Sequence, residues 1–214
     1  AIAARSGHIL FRASADNALL HLVRRQRDHA SPEAHHLSVR PACITATAGT
    51  DAGLFAAGVS FLQLARLGVT PTGDLEDAPA LPVRGAMIDV SRNRVPKLAE
   101  LLELIDVLAT LRYNQIQLYT EHTFAYRDHA VVWRDASPLT AEDIRTLDAH
   151  CAARFIELVP NQQSFGHLHR WLIHEPYRQM AEQPDGIDHP FSSVREPYGL
   201  DPTHPGTLPF LAGL

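Results

Sequence analysis

Apolar positions between Leu81 and Leu111 recur first with the spacing of a strand and then with that of a helix. The segment from Val83 to Val90 is rich in β-formers and ends in polar residues, and Pro96 stands where the first turn of a helix tolerates a missing N–H. The apolar positions that follow at helical spacing are Leu98, Leu101, Leu102, Ile105, Leu108 and Ala109. This stretch is predicted to be one βα unit.

The same pattern returns twice further along the chain. Gln115 to Thr120 is predicted as a second strand, and a long loop follows from His122 to Pro138. Thr140 is predicted to cap a helix with Asp143 three residues on, and Phe155 to Pro160 is a third strand. Such spacing is typical of parallel βαβ crossovers. Because a closed (β/α)8 TIM barrel takes about 250 residues, an α/β fold with only the first βα units of the barrel is predicted.

Before position 81 the pattern is different and mixed. Helical spacing runs from Asp16 to Arg27, and short strands are predicted at Leu37 to Val39 and Cys43 to Ala46. A second helix is predicted from Ala52 to Leu67, and the Pro- and Gly-rich stretch from Gly68 to Pro82 is predicted to be a linker. The prediction is therefore a small α+β domain and linker over residues 1–80, followed by the N-terminal part of a barrel domain over 81–214.

Composition narrows the possible partners. The chain has 214 residues, 45% of them hydrophobic, and a formal net charge of −5. This charge argues against a nucleic-acid partner, which needs clustered Lys and Arg. No apolar run approaches the ~18 residues of a membrane helix, and the start lacks the apolar core of a signal peptide, so no membrane partner is expected. Because the first residue is Ala1 rather than Met, the chain is predicted to be processed, trimmed or a fragment.

Several familiar chemical signatures are missing from the sequence. It contains no GxGxxG, no P-loop, no GxSxG and no HExxH, which removes the usual support for dinucleotide, nucleoside triphosphate, α/β-hydrolase and zincin chemistry. Cys43 and Cys151 are far apart and are predicted to be buried thiols, which leaves the compartment undetermined. No cofactor is expected.

Polar side chains cluster where each of the three predicted strands ends. They are Asp89, Ser91 and Arg92 after the first strand, Glu121 and His122 after the second, and Asn161, Gln162, Gln163 and His167 after the third. Because parallel strands end at one edge of a sheet, these side chains are expected to face one pocket. Arginine and carboxylate groups bond vicinal hydroxyls, and nearby aromatic rings such as Tyr119 cover the apolar face of a sugar, so a polyhydroxyl ligand is predicted.

Each of these residues also has a structural interpretation. Arg92 could serve only as the ion-pair partner of a carboxylate at a loop end, with Asp89 fixing it, and Glu121 could cap a helix. His167 could be a structural histidine. A metal-dependent hydrolase using His167 and His169 is a further alternative, although no other ligand set with recognisable spacing accompanies them.

The segment from Arg84 to Arg92, with its pattern RG-x-M-x-D-x-S-R, resembles the start of the catalytic barrel in family 20 glycoside hydrolases, the β-N-acetylhexosaminidases. Upstream, Gly53 and Phe55 fall in a segment similar to the last helix of that family's small α+β domain. Downstream, Gly166-His167 looks like the exit of the third strand. The resemblance covers about residues 35 to 170.

This resemblance implies an activity and a carbohydrate substrate. Family members hydrolyse terminal β-linked N-acetylhexosamine with retention, the substrate's own acetamide oxygen attacking the anomeric carbon. The enzyme supplies an acid and a neighbouring carboxylate, an adjacent Asp-Glu pair after the fourth strand. This sequence has no Asp-Glu dipeptide, so no catalytic residue is expected within the chain and the pair is expected beyond Leu214. Another chain or the remainder of the protein is expected to complete the barrel.

By matched position, the resemblance assigns substrate binding to Arg92, to Glu121 or His122, and to His167, with Asp89 in support. His122 stands where a second acid is common in the family. Amides replace the usual acidic residues after the third strand, which indicates a divergent branch. A carbohydrate-binding module that keeps Arg92 and Glu121 without catalysis is the remaining alternative.

Overall fold

The computed structural model describes residues 2–5, 8–11, 20–25, 31–41, 43–68, 72–92, 94–191 and 193–214. They form two compact units. The first contains the described residues up to Arg84 together with Glu103–Asn114 and Cys151–Ile156, and the second contains Gly85–Leu102, Gln115–His150 and Glu157–Leu214. The predicted domain boundary between residues 80 and 81 stays a prediction. Within the described residues, no helix has the length and apolar character needed to cross a bilayer.

The first unit contains two small sheets. Strands β1 (Ile2–Arg5) and β2 (His8–Phe11) pair antiparallel. The larger sheet consists of β3 (Leu20–Arg24), β4 (His35–Arg40), β5 (Cys43–Ala48) and β6 (Gly73–Asp77). Its order is β3-β5-β4-β6, with β3 parallel to β5 and the other two pairings antiparallel. Together with one long helix, these strands form an α+β arrangement.

Helix α1 (Asp51–Arg66) packs against the larger sheet of the first unit, as predicted from its apolar spacing. Its N-terminus is capped by Thr50, whose hydroxyl accepts a hydrogen bond from the Gly53 N–H at 2.9 Å. A Cβ at Gly53 would lie 2.7 Å from the Ala48 side chain and 2.8 Å from the Ala34 carbonyl oxygen. Only glycine therefore lets the helix approach the sheet this closely.

One helix prediction in the first unit is wrong. Leu20–Arg24 is strand β3 rather than part of a helix running from Asp16 to Arg27. Its partner is β5, with Leu20 opposite Ile44, more than twenty residues away in the sequence. Sheet pairing of this kind overrides local helical spacing. The rest of that predicted helix, apart from Arg25, lies outside the described residues.

The predicted linker also contains regular structure. Gly73–Asp77 forms the edge strand β6 against β4, and four of its five residues are exposed. An edge strand with one neighbour needs little apolar patterning, which is why the sequence did not reveal it. Asp74 in this strand forms an ion pair with Arg40 at 2.8 Å.

The second unit is built on three parallel strands. They are β7 (Gly85–Asp89), β8 (Gln115–Thr120) and β9 (Glu157–Gln162), in the order β7-β8-β9. Asp89 lies opposite Tyr119, which in turn lies opposite Asn161, so the three strands end at the same level. The helices between the strands are α2 (Leu98–Thr110), α3 (Ala130–Trp133) and α4 (Ala141–Ala152). The predicted succession of βα units is confirmed.

Local details of this unit refine the sequence prediction. Thr140 and Asp143 form the predicted cap, since Asp143 N–H donates to the Thr140 hydroxyl at 3.1 Å and Thr140 N–H donates to the Asp143 carboxylate at 2.8 Å. The loop from His122 to Pro138 is interrupted by the short helix α3. The third strand begins at Glu157 rather than Phe155, because Phe155 has a left-handed φ of 57° in the turn after α4.

The C-terminal part of the second unit packs around a fully buried Trp171. Short helices α5 (His169–Leu172), α6 (Glu175–Arg178) and α7 (Thr207–Ala212) occur here. The buried residues of this core are Val132, Leu168, Trp171, Leu172, Tyr177, Met180, Ala181 and Leu200. Elsewhere, Cys151 is buried as predicted, Cys43 is only half-buried, and neither forms a disulfide.

Candidate functional site

Glu121, directly after β8, is the most constrained of the predicted site residues. Its side chain is only 3% exposed. The Tyr119 hydroxyl donates to carboxylate oxygen Oε1 at 2.8 Å, and the Glu121 N–H donates to the Ser91 hydroxyl at 2.7 Å. Burial raises the pKa of Tyr119, so the phenol stays protonated as a donor. No described residue bonds the second oxygen, Oε2, which can therefore accept a ligand hydroxyl.

The backbone carbonyl of Glu121 is held as firmly as its side chain. The Trp171 indole N–H donates to it at 2.6 Å, and the Gln162 side-chain amide donates to it at 3.0 Å. Gln162 is itself oriented by the Tyr126 hydroxyl, which donates to its amide oxygen at 2.9 Å. Trp171, in the buried core of the second unit, thus helps to position Glu121.

Hydroxyl groups connect the turns that follow β7 and β8. The Ser91 and Thr123 hydroxyls are 3.0 Å apart, and the Thr123 hydroxyl donates to the Val90 carbonyl at 2.9 Å. Ser91 and Thr123 are both buried. This connection fixes the spacing between the loop that carries Arg92 and the loop that carries Glu121.

Arg92 lies beside Glu121 and is partly open to solvent. Its Nε is 3.3 Å from an Asp89 carboxylate oxygen and 3.4 Å from Oε1 of Glu121. The guanidinium carbon lies 4.8 Å from the centre of the Tyr119 ring, a cation–π contact. Asp89 also accepts the N–H groups of Ser91 and Arg92 at 2.9 and 3.1 Å, and its supporting role stays a prediction. The Arg92 guanidinium also interacts with the Tyr119 hydroxyl, which contributes most to raising the Arg92 pKa, and 56% of the side chain is exposed.

His167 also approaches the same carboxylate. Its Nδ1 lies 3.7 Å from Oε1 of Glu121, too far for a hydrogen bond but close enough for an electrostatic contact. Its ring meets Tyr119 edge-on at 6.4 Å. The residue has a left-handed φ of 56° directly after Gly166, a conformation that histidine adopts more readily than most residues. Arg92, Glu121 and His167 are thus brought together, as the parallel-strand argument predicted.

His122 is not part of the contacts among Arg92, Glu121 and His167. It makes no hydrogen bond to the described residues, and burial, followed by the nearby Arg170 charge, lowers its pKa, so the ring is neutral. His122 lines a cleft of about 1090 Å³ that also contains Arg92 and Glu121. Of the two predicted candidates after β8, Glu121 is therefore the one that contacts Arg92.

Two of the amides after β9 have mainly structural contacts. The Asn161 amide donates to the Gln117 side chain at 3.0 Å, and Gln162 holds the Glu121 carbonyl. Sequence reasoning missed Trp171, Thr123 and this use of Gln162. The only sequence signal for Thr123 is its closeness to Glu121, and nothing in the local pattern connects Trp171 to a residue fifty positions away.

The arrangement suits neutral hydroxyl groups better than a metal ion. The exposed guanidinium of Arg92 can donate to one hydroxyl, while the open carboxylate oxygen of Glu121 accepts from the neighbouring hydroxyl. In the described part of the chain, no three His, Cys, Asp or Glu side chains are placed to hold a metal ion. The alternative built on His167 and His169 therefore lacks a ligand set among those residues.

Comparisons with known proteins give the family. The model of the glycosyl hydrolase family 20 catalytic domain matches residues 81–214. The chain is 27% identical over 115 residues to a beta-hexosaminidase of Akkermansia muciniphila, covering 45% of this chain and 23% of the relative. It is 28% identical over 108 residues to the beta-hexosaminidase subunit alpha of Bos taurus, covering 46% of this chain and 20% of that relative. The matches thus span about a quarter or less of these relatives.

Solved structures give the fold. The GH20 beta-N-acetylhexosaminidase from Streptomyces coelicolor superposes with a TM-score of 0.75 at 21% identity, covering 91% of this chain and 44% of that one. Flavobacterium johnsoniae chitobiase superposes with a TM-score of 0.76 at 23% identity, covering 97% of this chain and 33% of the chitobiase chain. A mutant Streptomyces plicatus beta-hexosaminidase in complex with its product GlcNAc superposes with a TM-score of 0.73 at 21% identity, covering 91% of this chain and 43% of that chain.

These likenesses confirm the predicted fold class. The three parallel strands are the first strands of a (β/α)8 barrel that is incomplete in this chain, and a small α+β region precedes them. The family model matches more than half of the residues. The chain belongs to glycosyl hydrolase family 20.

Proposed function

We propose that the protein is a retaining glycoside hydrolase that removes terminal non-reducing β-linked N-acetylhexosamine. Family membership and the hexosaminidase relatives support this activity. The observation that carries the proposal is the contact between Arg92 and Glu121 at 3.4 Å, with one side of each group open, at the carboxyl ends of parallel strands. Active sites of (β/α)8 enzymes lie at this end of the barrel.

Each side chain has a distinct role in the proposed site. The Arg92 Nη atoms donate to hydroxyls of the terminal sugar, and Oε2 of Glu121 accepts from one of them. Tyr119 keeps the Glu121 carboxylate in place through Oε1 and lies under the Arg92 guanidinium. His167 provides a further donor at the edge of the site, and Asp89 orients Arg92 through two contacts, one to its Nε and one to its backbone N–H.

The proposed chemistry uses the substrate's own acetamide group. Its oxygen bonds to the anomeric carbon while the bond to the leaving oxygen breaks and that oxygen takes a proton from an enzyme acid. Water then attacks the same carbon from the side that the leaving group vacated and gives a proton to the conjugate base of the enzyme acid. The bond from that carbon to the acetamide oxygen breaks in this step, so the configuration is retained. We place the acid and its neighbouring carboxylate on an Asp-Glu pair outside these 214 residues, because the sequence contains no such dipeptide.

Two alternatives make different predictions. A carbohydrate-binding module without catalysis would keep the sugar contacts of Arg92 and Glu121, but the family is one of hydrolases. A metal-dependent hydrolase would lose activity with a chelator. Completion of the barrel by another chain or by the remainder of the protein stays a prediction.

The proposal is tested by binding and turnover on the same preparations. Titration of the 214-residue chain with N-acetylglucosamine, followed by saturation-transfer NMR, should show binding that Glu121→Gln weakens. Aryl N-acetyl-β-glucosaminide should be hydrolysed by a chain extended through the next strand and not by the 214 residues alone. Equal turnover by both chains would contradict the placement of the acid, and absence of binding would contradict the site.

A further inference from the structure

Tyr126, in the loop after β8, lies outside the lining of the cleft that contains Arg92 and Glu121. It lines a separate groove of about 440 Å³ together with Gln162, and its ring packs against the buried core around Trp171. A residue in this place does not touch a sugar bound at the proposed site. Any effect of Tyr126 on sugar binding must therefore pass through other residues.

Two side chains donate to the Glu121 carbonyl, and Tyr126 contacts both of them. The Tyr126 hydroxyl donates to the Gln162 amide oxygen at 2.9 Å, and its ring centre lies 5.7 Å from that of Trp171. Gln162 and Trp171 in turn donate to the Glu121 carbonyl oxygen at 3.0 and 2.6 Å. One side chain thus supports both hydrogen bonds that fix the peptide after Glu121.

The partners of the Gln162 amide determine which way it points. Its nitrogen faces two backbone carbonyls, that of Glu121 at 3.0 Å and that of Gln163 at 2.8 Å, and carbonyls can only accept. The amide oxygen must therefore face Tyr126, whose hydroxyl must donate to it. Burial raises the pKa of Tyr126, so the phenol keeps the proton that this bond needs. Without the hydroxyl, the amide loses one of these three hydrogen bonds and is held less firmly against Glu121.

Tyr126 is itself held in place by its own loop. The Trp133 indole N–H donates to the Tyr126 carbonyl at 2.8 Å, and the Tyr126 N–H donates to the Phe124 carbonyl at 2.9 Å. The Tyr126 and Phe124 rings also meet edge-on, with their centres 4.7 Å apart. A side chain fixed in this way can set the position of the groups packed on it, because close-packed interiors transmit small displacements.

We propose that Tyr126 is a positioning residue for sugar binding at Glu121 and that it acts through Gln162 and Trp171. It holds the Glu121 main chain so that the carboxylate stays beside Arg92. Groups that bind a ligand by directed hydrogen bonds must be held within about 0.5 Å of their productive geometry. This inference rests on the proposed function and extends it, because it assigns part of the sugar affinity to a residue outside the cleft.

The test compares two tyrosines whose ring centres lie 5.7 and 5.4 Å from that of Trp171. Tyr126→Phe removes the hydroxyl that donates to Gln162, and Tyr177→Phe removes a hydroxyl 2.7 Å from Nδ1 of His129. Isothermal titration of the 214-residue chain with N-acetylglucosamine should show about threefold to tenfold weaker affinity in Tyr126→Phe, as expected for one lost hydrogen bond. The affinity of Tyr177→Phe should be unchanged, although urea titration should show a similar loss of stability in both variants.

Two further readouts test the route from Tyr126 to Glu121. The chain has two tryptophans, and in proton–nitrogen NMR spectra saturating sugar should shift the indole N–H resonance of Trp171 and not that of Trp133. The Trp171 indole donates to the Glu121 carbonyl, whereas the Trp133 indole donates to the Tyr126 carbonyl. In a Gln162→Met background, which lacks the amide, Tyr126→Phe should have no further effect on affinity.

The outcomes separate this inference from the proposed function. If the unaltered chain does not bind N-acetylglucosamine, the proposed function fails and this inference fails with it. If the sugar binds but Tyr126→Phe keeps full affinity, or Tyr177→Phe loses as much, only the inference is overturned. A further loss on adding Tyr126→Phe to Gln162→Met would contradict the route through Gln162, and an unshifted Trp171 resonance would contradict the link to Glu121.

Discussion

Two arginines near the ends of β7 have opposite environments. Arg84, just before the strand, has a side chain that is 18% exposed, forms an ion pair with Glu33, and donates to the carbonyls of Arg112 at 2.7 Å and Leu81 at 2.8 Å. Arg92, after the strand, has a side chain that is 56% exposed and contacts carboxylates only through Nε. The Arg84 guanidinium is enclosed by the protein, whereas more than half of the Arg92 side chain is open to solvent.

Under the proposed function, this difference separates a structural charge from a binding charge. Arg84 belongs to the first unit, where Asn114 also donates to Glu33 at 3.0 Å, so the carboxylate is satisfied from within the fold. Removing such a partner leaves a half-buried charge unpaired, which costs stability. If the proposed function holds, removing Arg92 instead deprives the sugar of hydrogen-bond donors. Sugar affinity should therefore depend on Arg92 and not on Arg84.

Arg92→Ala should have the largest effect. Two hydrogen bonds from a charged group contribute about 1.5–3 kcal/mol each, so the affinity for N-acetylglucosamine should fall at least about 100-fold. Isothermal titration measures this loss. The melting temperature should also fall, because the nearly buried Glu121 carboxylate loses a cationic partner, although it keeps its hydrogen bond from Tyr119. Arg92→Lys should recover only part of the affinity, since lysine lacks the planar fork. Unchanged affinity in Arg92→Ala would place the sugar elsewhere.

Arg84→Ala should produce the complementary result. The free energy of unfolding should fall by about 2 kcal/mol in urea titrations, because Glu33, whose side chain is only 15% exposed, loses its ion-pair partner. Sugar affinity of the folded protein should not change. Arg145→Ala is the matched control, since its pair with Glu142 is mostly exposed and should contribute less than about 0.5 kcal/mol. Equal stability losses in the two variants would remove the distinction between the two environments.

Tyr119→Phe should weaken sugar binding about tenfold. The change removes the hydroxyl that donates to Glu121 at 2.8 Å but keeps the ring face under Arg92. Tyr177→Phe removes a comparable bond to His129 at 2.7 Å outside the Glu121 contacts and should affect stability only. Titration of both variants would show whether the hydroxyl acts on the ligand site. A similar affinity loss in both would indicate a general loss of structure.

The smallest effect concerns His35 in the first unit. Its Nδ1–H donates to the Glu33 carbonyl at 2.9 Å, the Ser60 hydroxyl donates to its Nε2 at 2.9 Å, and burial lowers its pKa from 6.5. Between the lowered pKa of His35 in the folded protein and 6.5, the imidazole is therefore more protonated in the unfolded chain than in the folded protein. Stability from this residue is complete above pH 6.5 and is lost as pH falls toward the folded pKa, by at most about 1.4 kcal/mol per pH unit.

Denaturation of the protein and of His35→Gln across this pH range measures the contribution. The slope below pH 6.5 should be smaller in the variant. Identical slopes would show that the buried imidazole accepts a proton without cost.

Sequence reasoning was most successful where the determining contacts are local. Apolar periodicity placed β8 without error, and the spacing of Thr140 and Asp143 predicted a cap that forms. The convergence of Arg92 and Glu121 followed from one rule, that parallel strands end at the same edge. These features depend on residues within one βα unit or on its immediate repetition.

Features set by distant partners were not predictable. Strand β3 exists because β5 pairs with it, and the enclosure of Arg84 depends on Glu33 and on the turn after α2. Trp171 supports Glu121 only because the chain folds back over fifty positions to bring the two residues together. Whether Arg92 was open or enclosed could not be read from its neighbours in sequence, and the structure was needed to distinguish it from Arg84.

The most direct measurement is a crystal structure of the chain soaked with N-acetylglucosamine. We expect ring hydroxyls within about 3 Å of the Arg92 Nη atoms and of Oε2 of Glu121, with Arg84 and Glu33 unchanged. A sugar bound away from both Arg92 and Glu121 at saturating concentration would contradict the assignment of this strand edge as the binding site.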